Sequence, residues 1–139
     1  MGFPTALPQS RIPDPMHAPA LRWGIMGTGW IADHFVRSVL AHTRQQIAAV
    51  GSRGAESAGA FAKRHGIATA HSSYQALVED DGIDVIYIAT PHIAHRDHAL
   101  MALEAGRHVL VEKPMALDHA QAAEIVETAR ARGLFLAEA

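Results

Sequence analysis

The sequence predicts an α/β domain built on a doubly wound parallel sheet, and three observations support this prediction. Short apolar segments alternate with segments of helical periodicity along most of the chain. A glycine-rich turn at residues 27–29 follows the first apolar segment, and Glu-Lys-Pro at residues 112–114 follows a later one. Strands joined by right-handed helical crossovers are parallel, so the turns that follow them gather at one edge of the sheet.

The first part of the chain contains two strand–helix units. Residues 21–26 are apolar and end at a glycine, which predicts the first strand. Residues 30–41 carry apolar side chains at helical spacing, and residues 46–50 predict the second strand. Residues 55–65 predict a helix because Gly66 stands at its end, where glycine commonly closes helices.

The middle of the chain predicts a short unit followed by the most apolar strand. Residues 67–70 predict a short third strand, and residues 74–80 predict a short helix. Residues 84–89 are nearly all apolar and rich in β-branched side chains, as in a strand buried on both faces of a parallel sheet. Residues 94–105 predict a helix that ends at Gly106.

The last part of the chain predicts one helix between two further strands. Residues 108–111 predict the fifth strand and residues 134–137 the sixth. Asp118 can cap a helix that runs to about residue 132, with Gly133 after it. Six strands with a glycine turn after the first are the layout of a dinucleotide-binding fold.

Residues 1–20 differ from the remainder, which forms the predicted dinucleotide-binding domain over residues 21–139. Five of the seven prolines of the chain lie in this first segment. Proline lacks an amide donor and interrupts helices, so we expect a flexible tail.

The composition is that of an ordinary soluble globular chain, and it excludes several classes of function. A net charge of −2 at pH 7 argues against nucleic acid or anionic lipid as a partner. No apolar run approaches the roughly 20 residues of a membrane span, and the N-terminus lacks the apolar block of a secretory signal. The chain has no cysteine, which rules out disulfides and thiolate metal ligands and fits a cytoplasmic protein.

The glycine turn predicts a site for the pyrophosphate of a dinucleotide. Gly27 permits a tight bend from strand to helix, Gly29 lets a phosphate approach the backbone, and Ala32 allows close packing of the helix on the strand. Free amides at the helix start would then bind the anion. A purely structural turn is the alternative. Trp30 is either a core anchor or a wall beside the pyrophosphate.

The end of the second predicted strand favours NADP over NAD. An NAD site usually places an acid about 20 residues after the glycines, where it accepts from the ribose hydroxyls. Here the strand is followed by Ser52 and Arg53, with no acid before Glu56. Serine and arginine can both donate to a ribose phosphate. The alternative is that Arg53 is a solvated loop charge and that NAD binds.

Thr90-Pro91-His92 and His95 follow the fourth predicted strand, at the edge where ligands bind in open α/β sheets. We expect His92 and His95 to line the nicotinamide or the substrate, and His98 to lie on the helix surface. The spacing of the three histidines also permits a metal site. We disfavour it because zinc needs converging ligands and a supporting shell, and we predict no metal.

Glu112-Lys113-Pro114 follows the fifth predicted strand and provides a candidate for proton chemistry. A lysine in a partly closed site can hold or protonate a substrate oxygen. The alternative is a surface lysine before a turn.

Three segments together resemble the N-terminal domain of the Gfo/Idh/MocA oxidoreductases. They are residues 21–32, residues 89–95 and residues 105–114, and the resemblance extends over residues 21–139. The start of the first strand and the end of the second strand are most similar to those of the NADP-dependent dihydrodiol and D-xylose dehydrogenase branch. The resemblance implies NADP, with NAD possible, as cofactor and a sugar or cyclic alcohol or ketone as the small-molecule substrate.

The resemblance also implies roles for individual residues. Lys113 matches the lysine that contacts the substrate oxygen, and the Lys113–Pro114 bond is often cis in the family. The family commonly has asparagine where this chain has His92. The predicted cofactor-binding residues are Gly27, Thr28, Gly29, Trp30, Ile31, Ser52, Arg53, Thr90, Pro91, His92, His95, Glu112 and Lys113, and Lys113 is also the predicted catalytic residue.

Members of the family carry a second α/β domain after the sixth strand, and it supplies most substrate contacts and usually the oligomer interface. The sequence ends where that domain would begin, as expected of either a truncated gene product or a fragment, so we expect these residues alone to bind cofactor without turnover and the intact protein to be a homo-oligomer. A non-catalytic, redox-sensing regulator is the alternative function, because some relatives are regulators. Lys113 favours the enzyme.

Overall fold

The structure, a computed structural model, describes residues 12–139. Residues 1–11 of the predicted tail lie outside the described residues. The rest of that segment contains a single 3₁₀ turn at Pro15–His17, where the side chain of Asp14 accepts from the amide of Met16. Its end is tied to the domain, because the Gln45 side chain donates to the carbonyl of Pro19 over 2.9 Å. The boundary between tail and domain at residue 20 stays a prediction.

Six parallel strands form one sheet with the order β3-β2-β1-β4-β5-β6, which confirms the predicted fold class. The strands are β1 Arg22–Met26, β2 Gln46–Gly51, β3 Thr69–His71, β4 Val85–Ile88, β5 His108–Val111 and β6 Leu136–Glu138. The order reverses between β1 and β4, so the connections that leave these two neighbours run to opposite sides of the sheet and leave a crevice between them.

Five α-helices connect the strands close to their predicted positions. They are α1 Trp30–His42, α2 Ala55–His65, α3 Tyr74–Val78, α4 His95–Glu104 and α5 His119–Arg132. The predicted caps are present: Gly66 and Gly133 end their helices in the left-handed conformation, and the Asp118 side chain accepts from the amide of Gln121. A 3₁₀ turn at His92–Ala94 precedes α4.

The third and sixth strands begin two residues later than predicted, for a shared reason. The amide of Ile67 donates to the carbonyl of Ala62 and closes the end of α2. The amide of Leu134 donates to Ala129 and closes α5 in the same way. Because the amides of Ile67 and Leu134 are bonded to the preceding helices, the pairing of β3 and β6 in the sheet starts further along the chain.

Two apolar cores cover the two faces of the sheet, as burial of both faces of the strands requires. Consecutive residues of β1 pack in different cores: Met26 belongs to one core and Ile25 to the other. The second core contains an aromatic stack in which the rings of Phe35 and Tyr87 lie 3.8 Å apart. Within residues 12–139, no helix is both long enough and apolar enough to cross a membrane.

Candidate cofactor-binding site

A cleft of about 580 Å³ lies at the carboxyl edge of the sheet, beside the reversal of strand order. This volume is within the range of small-molecule sites. Every residue that the sequence predicts for the cofactor lines it, with the exception of His95. The lining residues are Gly27, Thr28, Gly29, Trp30, Ile31, Ser52, Arg53, Tyr74, Ala89, Thr90, Pro91, His92, Glu112 and Lys113.

The glycine turn forms one side of the cleft, and its geometry suits an anion. Gly27 has a φ of +108°, and a Cβ atom there would lie 2.8 Å from the carbonyl oxygen of Ala89. Gly29 is the N-cap of α1, and no side chain caps the amides of the first turn. A Cβ atom on Gly29 would have no neighbour within 4 Å. Uncapped amides beside open space are the features that a pyrophosphate needs.

Trp30 stands on the rim of this turn and is 79% exposed. The core-anchor alternative for Trp30 is therefore wrong, and the ring is free to act as a wall of the cleft. Ala32, two residues further, is completely buried, which agrees with its predicted role in packing α1 on the sheet.

The end of β2 presents a cation to the cleft. The exposed side chain of Arg53 lines the cleft beside Ser52, whose hydroxyl lies buried 2.7 Å from that of Ser57. Glu56 belongs to the first turn of α2 and is exposed. This end of the cleft therefore offers donors for a phosphate and lacks the carboxylate that would accept from ribose hydroxyls.

Tyr74 is a cleft residue that the sequence analysis missed. It begins α3, and its ring lies edge-on to that of His98, with 4.7 Å between the centroids. Burial raises the pKa of Tyr74, and the nearby charge of Arg53 opposes the shift. The available signal was its position shortly after a strand of the parallel sheet, since all such positions lie at the same edge.

Two histidines of α4 do not occupy the places predicted for them. His98 was expected on the helix surface, but its Nδ1 atom lies 2.8 Å from the hydroxyl of Thr90, and burial lowers its pKa. His95 was expected to line the cleft, but it is completely buried. Its two ring nitrogens are hydrogen-bonded to the carbonyl oxygens of Thr90 and Pro114. His95 is therefore beneath the cleft and cannot touch a ligand in it.

The segment after β5 carries one acidic and one basic group of the cleft, Glu112 and Lys113. The hydroxyl of Tyr87 donates to Glu112 over 2.5 Å. Burial and the carboxylate of Glu112 both raise the pKa of Tyr87, so the phenol remains a donor. Lys113 is exposed on the cleft wall. The Lys113–Pro114 bond is cis, as the family resemblance implied. Within residues 12–139, no three potential metal-binding side chains are grouped to hold a metal ion.

A parallel sheet with this strand order, an uncapped helix behind a glycine turn and a cleft at the reversal point define a dinucleotide-binding domain of the Rossmann type. The chain belongs to the Gfo/Idh/MocA oxidoreductase family, described as an oxidoreductase family with an NAD-binding Rossmann fold, and the match covers residues 21–139. The family assignment made from the sequence is confirmed.

Known relatives align over most of this chain. It is 43% identical over 122 residues to trans-1,2-dihydrobenzene-1,2-diol dehydrogenase of Sus scrofa, covering 86% of this chain and 36% of that enzyme. It is 40% identical over 119 residues to scyllo-inositol 2-dehydrogenase (NADP(+)) of Bacillus subtilis (strain 168), covering 86% and 36%.

A solved structure is also similar to this chain in fold and in sequence. A 3-ketoreductase from Actinomadura kijaniata, crystallised with TDP-benzene and NADP, has a TM-score of 0.82 and 35% identity, covering 86% of this chain and 38% of that chain. The chain thus spans little more than a third of the length of these relatives.

Proposed function

We propose that residues 21–139 form the NADP-binding part of an oxidoreductase that transfers hydride between nicotinamide and the carbon of a sugar or of a cyclic alcohol or ketone. The observation that carries the proposal is the composition of one cleft. It combines an uncapped helix start at Gly29, a cation at Arg53 without a neighbouring acid, and an ammonium group at Lys113.

The relatives support this choice of chemistry. The names of the Sus scrofa, Bacillus subtilis and Actinomadura kijaniata proteins describe oxidation or reduction at diols, an inositol and a ketone, and two of the names include NADP. These names favour the enzyme over the regulator alternative. The homo-oligomeric state and the cytoplasmic location remain predictions from the sequence.

The lining residues divide between the parts of the cofactor. In this proposal, residues 27–31 hold the pyrophosphate, and Ser52 and Arg53 hold the phosphate on the adenosine ribose. Residues 90–92 and Glu112 surround the nicotinamide and its ribose, where the carboxylate can accept from hydroxyl groups. His92 takes the place of the asparagine common in the family, so an imidazole replaces an amide there.

Lys113 acts on the substrate in this proposal. Its ammonium group donates to the substrate oxygen and stabilises the negative charge that develops there during reduction of a ketone. The bound nicotinamide supplies or accepts the hydride. The proton reaches or leaves the oxygen through this lysine or a group that it orients.

Replacing Arg53 by alanine should change the preference between cofactors. A hydrogen bond to a charged group contributes about 1.5–3 kcal/mol, so NADPH should bind roughly tenfold or more weakly, while NADH binding stays nearly the same. Titration of NADPH and NADH by fluorescence measures both affinities in this chain. Arg44→Ala is the matched control, because exposed Arg44 precedes the strand that Arg53 follows. Equal losses for both cofactors would refute the phosphate role.

Removing the hydroxyl of Tyr87 should weaken the nicotinamide end of the site with little effect on the fold. Tyr87→Phe keeps the ring stacked on Phe35 but loses the bond to Glu112. We expect the free energy of unfolding to fall by about 1 kcal/mol and NADPH to bind severalfold more weakly. Denaturant unfolding and NADPH titration measure the two effects. Glu112→Gln is the partner variant, and effects that add fully in the double variant would contradict the coupling.

A further inference from the structure

Three polar side chains line the end of the cleft beside β2, and one of them already donates to the protein. They are Ser52, Arg53 and Tyr74. The hydroxyl of Ser57 donates to the carbonyl of Gly54 over 3.1 Å, which uses its single hydrogen. The 2.7 Å bond between the hydroxyls of Ser52 and Ser57 therefore uses the hydrogen of Ser52. Ser52 can donate to a phosphate only by giving up that bond.

Arg53 and Tyr74 make no such bond. Among residues 12–139, neither side chain is hydrogen-bonded to another group of the protein or paired with an acid. Tyr74 is half-buried, yet its hydroxyl oxygen is accessible, because no buried side-chain oxygen in the described part of the chain lacks a partner. Burial raises the pKa of Tyr74 and the charge of Arg53 opposes the shift, so the guanidinium acts on the phenol.

The ring of Tyr74 is fixed in three ways. The side chain of Ser73 accepts from the amide of Ala76 and caps the start of α3, where Tyr74 lies. The ring packs against one of the two apolar cores and lies edge-on to His98, with 4.7 Å between the centroids. His98 is held in turn by the hydroxyl of Thr90 at 2.8 Å. A hydroxyl on a ring held in this way loses little conformational freedom when it binds a ligand.

We propose that Tyr74 is a further cofactor-binding residue, whose hydroxyl donates to the phosphate on the adenosine ribose together with the guanidinium of Arg53. An accessible hydroxyl and an unpaired cation at one end of a cleft suit an anion, since each supplies a donor without breaking a bond of the protein. The proposal rests on the proposed function for the identity of that anion. It assigns to Tyr74 a part of the preference for NADP, because NAD has a hydroxyl in place of this phosphate.

Replacing Tyr74 by phenylalanine removes the hydroxyl and keeps the ring. We expect Tyr74→Phe to bind NADPH and 2′,5′-ADP about tenfold more weakly, while NADH and AMP bind as they do to the original chain. NADPH differs from NADH by the ribose phosphate alone, and so does 2′,5′-ADP from AMP. Calorimetric titration measures the four affinities in this chain, and denaturant unfolding checks that the variant keeps its fold.

Ser72→Ala is the matched control, because Ser72 is an exposed residue of the turn before α3 and is not among the cleft residues. It should change none of the four affinities. Equal weakening of NADPH and NADH in Tyr74→Phe would refute the proposal, because the residue would then serve the adenine ring or the fold. Unchanged affinities in Tyr74→Phe would also refute it, and would leave the proposed function standing if the original chain binds 2′,5′-ADP more tightly than AMP. If the original chain binds neither NADPH nor NADH, the proposed function fails and this proposal fails with it.

Discussion

Replacing Gly27 by alanine should abolish dinucleotide binding and destabilise the domain. The φ of +108° lies in a region that side chains other than glycine rarely adopt, and the added Cβ atom would lie 2.8 Å from the carbonyl oxygen of Ala89. That oxygen belongs to backbone and has no flexible end that could move aside. Strain of this kind costs on the order of 1–3 kcal/mol before the steric overlap is counted.

The overlap would also move the cleft itself. Ala89 lines the cleft, and the amide of Gly27 is bonded to Gly51 at the end of β2. A shift of the turn therefore displaces the ends of three neighbouring strands. We expect NADPH affinity to fall by at least about a hundredfold, which corresponds to a loss of roughly 2.7 kcal/mol or more. Calorimetric titration and denaturant unfolding measure the two effects.

Gly29→Ala separates binding from folding and serves as the comparison. Gly29 has an extended backbone that any residue can adopt, and an added Cβ atom would have no neighbour within 4 Å. Stability should change by less than about 1 kcal/mol, while the methyl group obstructs the approach of the pyrophosphate. Gly59 lies within α2, and an added Cβ atom there would also have no neighbour within 4 Å. Gly59→Ala should therefore raise the free energy of unfolding by about 0.5–1 kcal/mol and leave NADPH binding unchanged. Normal NADPH affinity in Gly29→Ala would contradict the pyrophosphate assignment.

Replacing Lys113 by alanine should remove most of the turnover of the full-length gene product. A positioned proton donor contributes roughly 10²- to 10⁴-fold to the rate, and we expect kcat to fall within this range. NADPH affinity should change little, because the side chain is assigned to the substrate oxygen. Steady-state rates with NADPH and a panel of cyclic ketones, ketoses and diols measure the effect, with cofactor titration in parallel.

The two lysines of the chain provide the control for this experiment. Lys63 lies in the last turn of α2, away from the cleft residues, and Lys63→Ala should leave kcat unchanged. Lys113→Arg keeps the charge but replaces a compact donor with a planar fork, so it should restore only a small part of the rate. Full activity in Lys113→Ala would show that another group handles the substrate oxygen.

The sequence alone determined the class of fold and most of the site. Helical and strand periodicity, with glycines at the helix ends, predicted the six strands and five helices because these patterns are local and repeat within one element. Parallel order then predicted that the segments after β1, β2, β4 and β5 meet at one edge, and they line one cleft. The cis bond before Pro114 followed from the family resemblance.

Tertiary structure decided which side chains at that edge face the cleft. The sequence placed both Trp30 and His95 among the predicted cofactor-binding residues, with a core position left open for Trp30, yet Trp30 is 79% exposed and His95 is completely buried. Burial of His95 depends on the Pro114 segment, 19 residues later, reaching its ring, and Glu112 meets Tyr87 across 25 residues. Periodicity describes neighbours within an element. The orientation of a loop side chain is decided by packing between distant segments, and no local pattern records it.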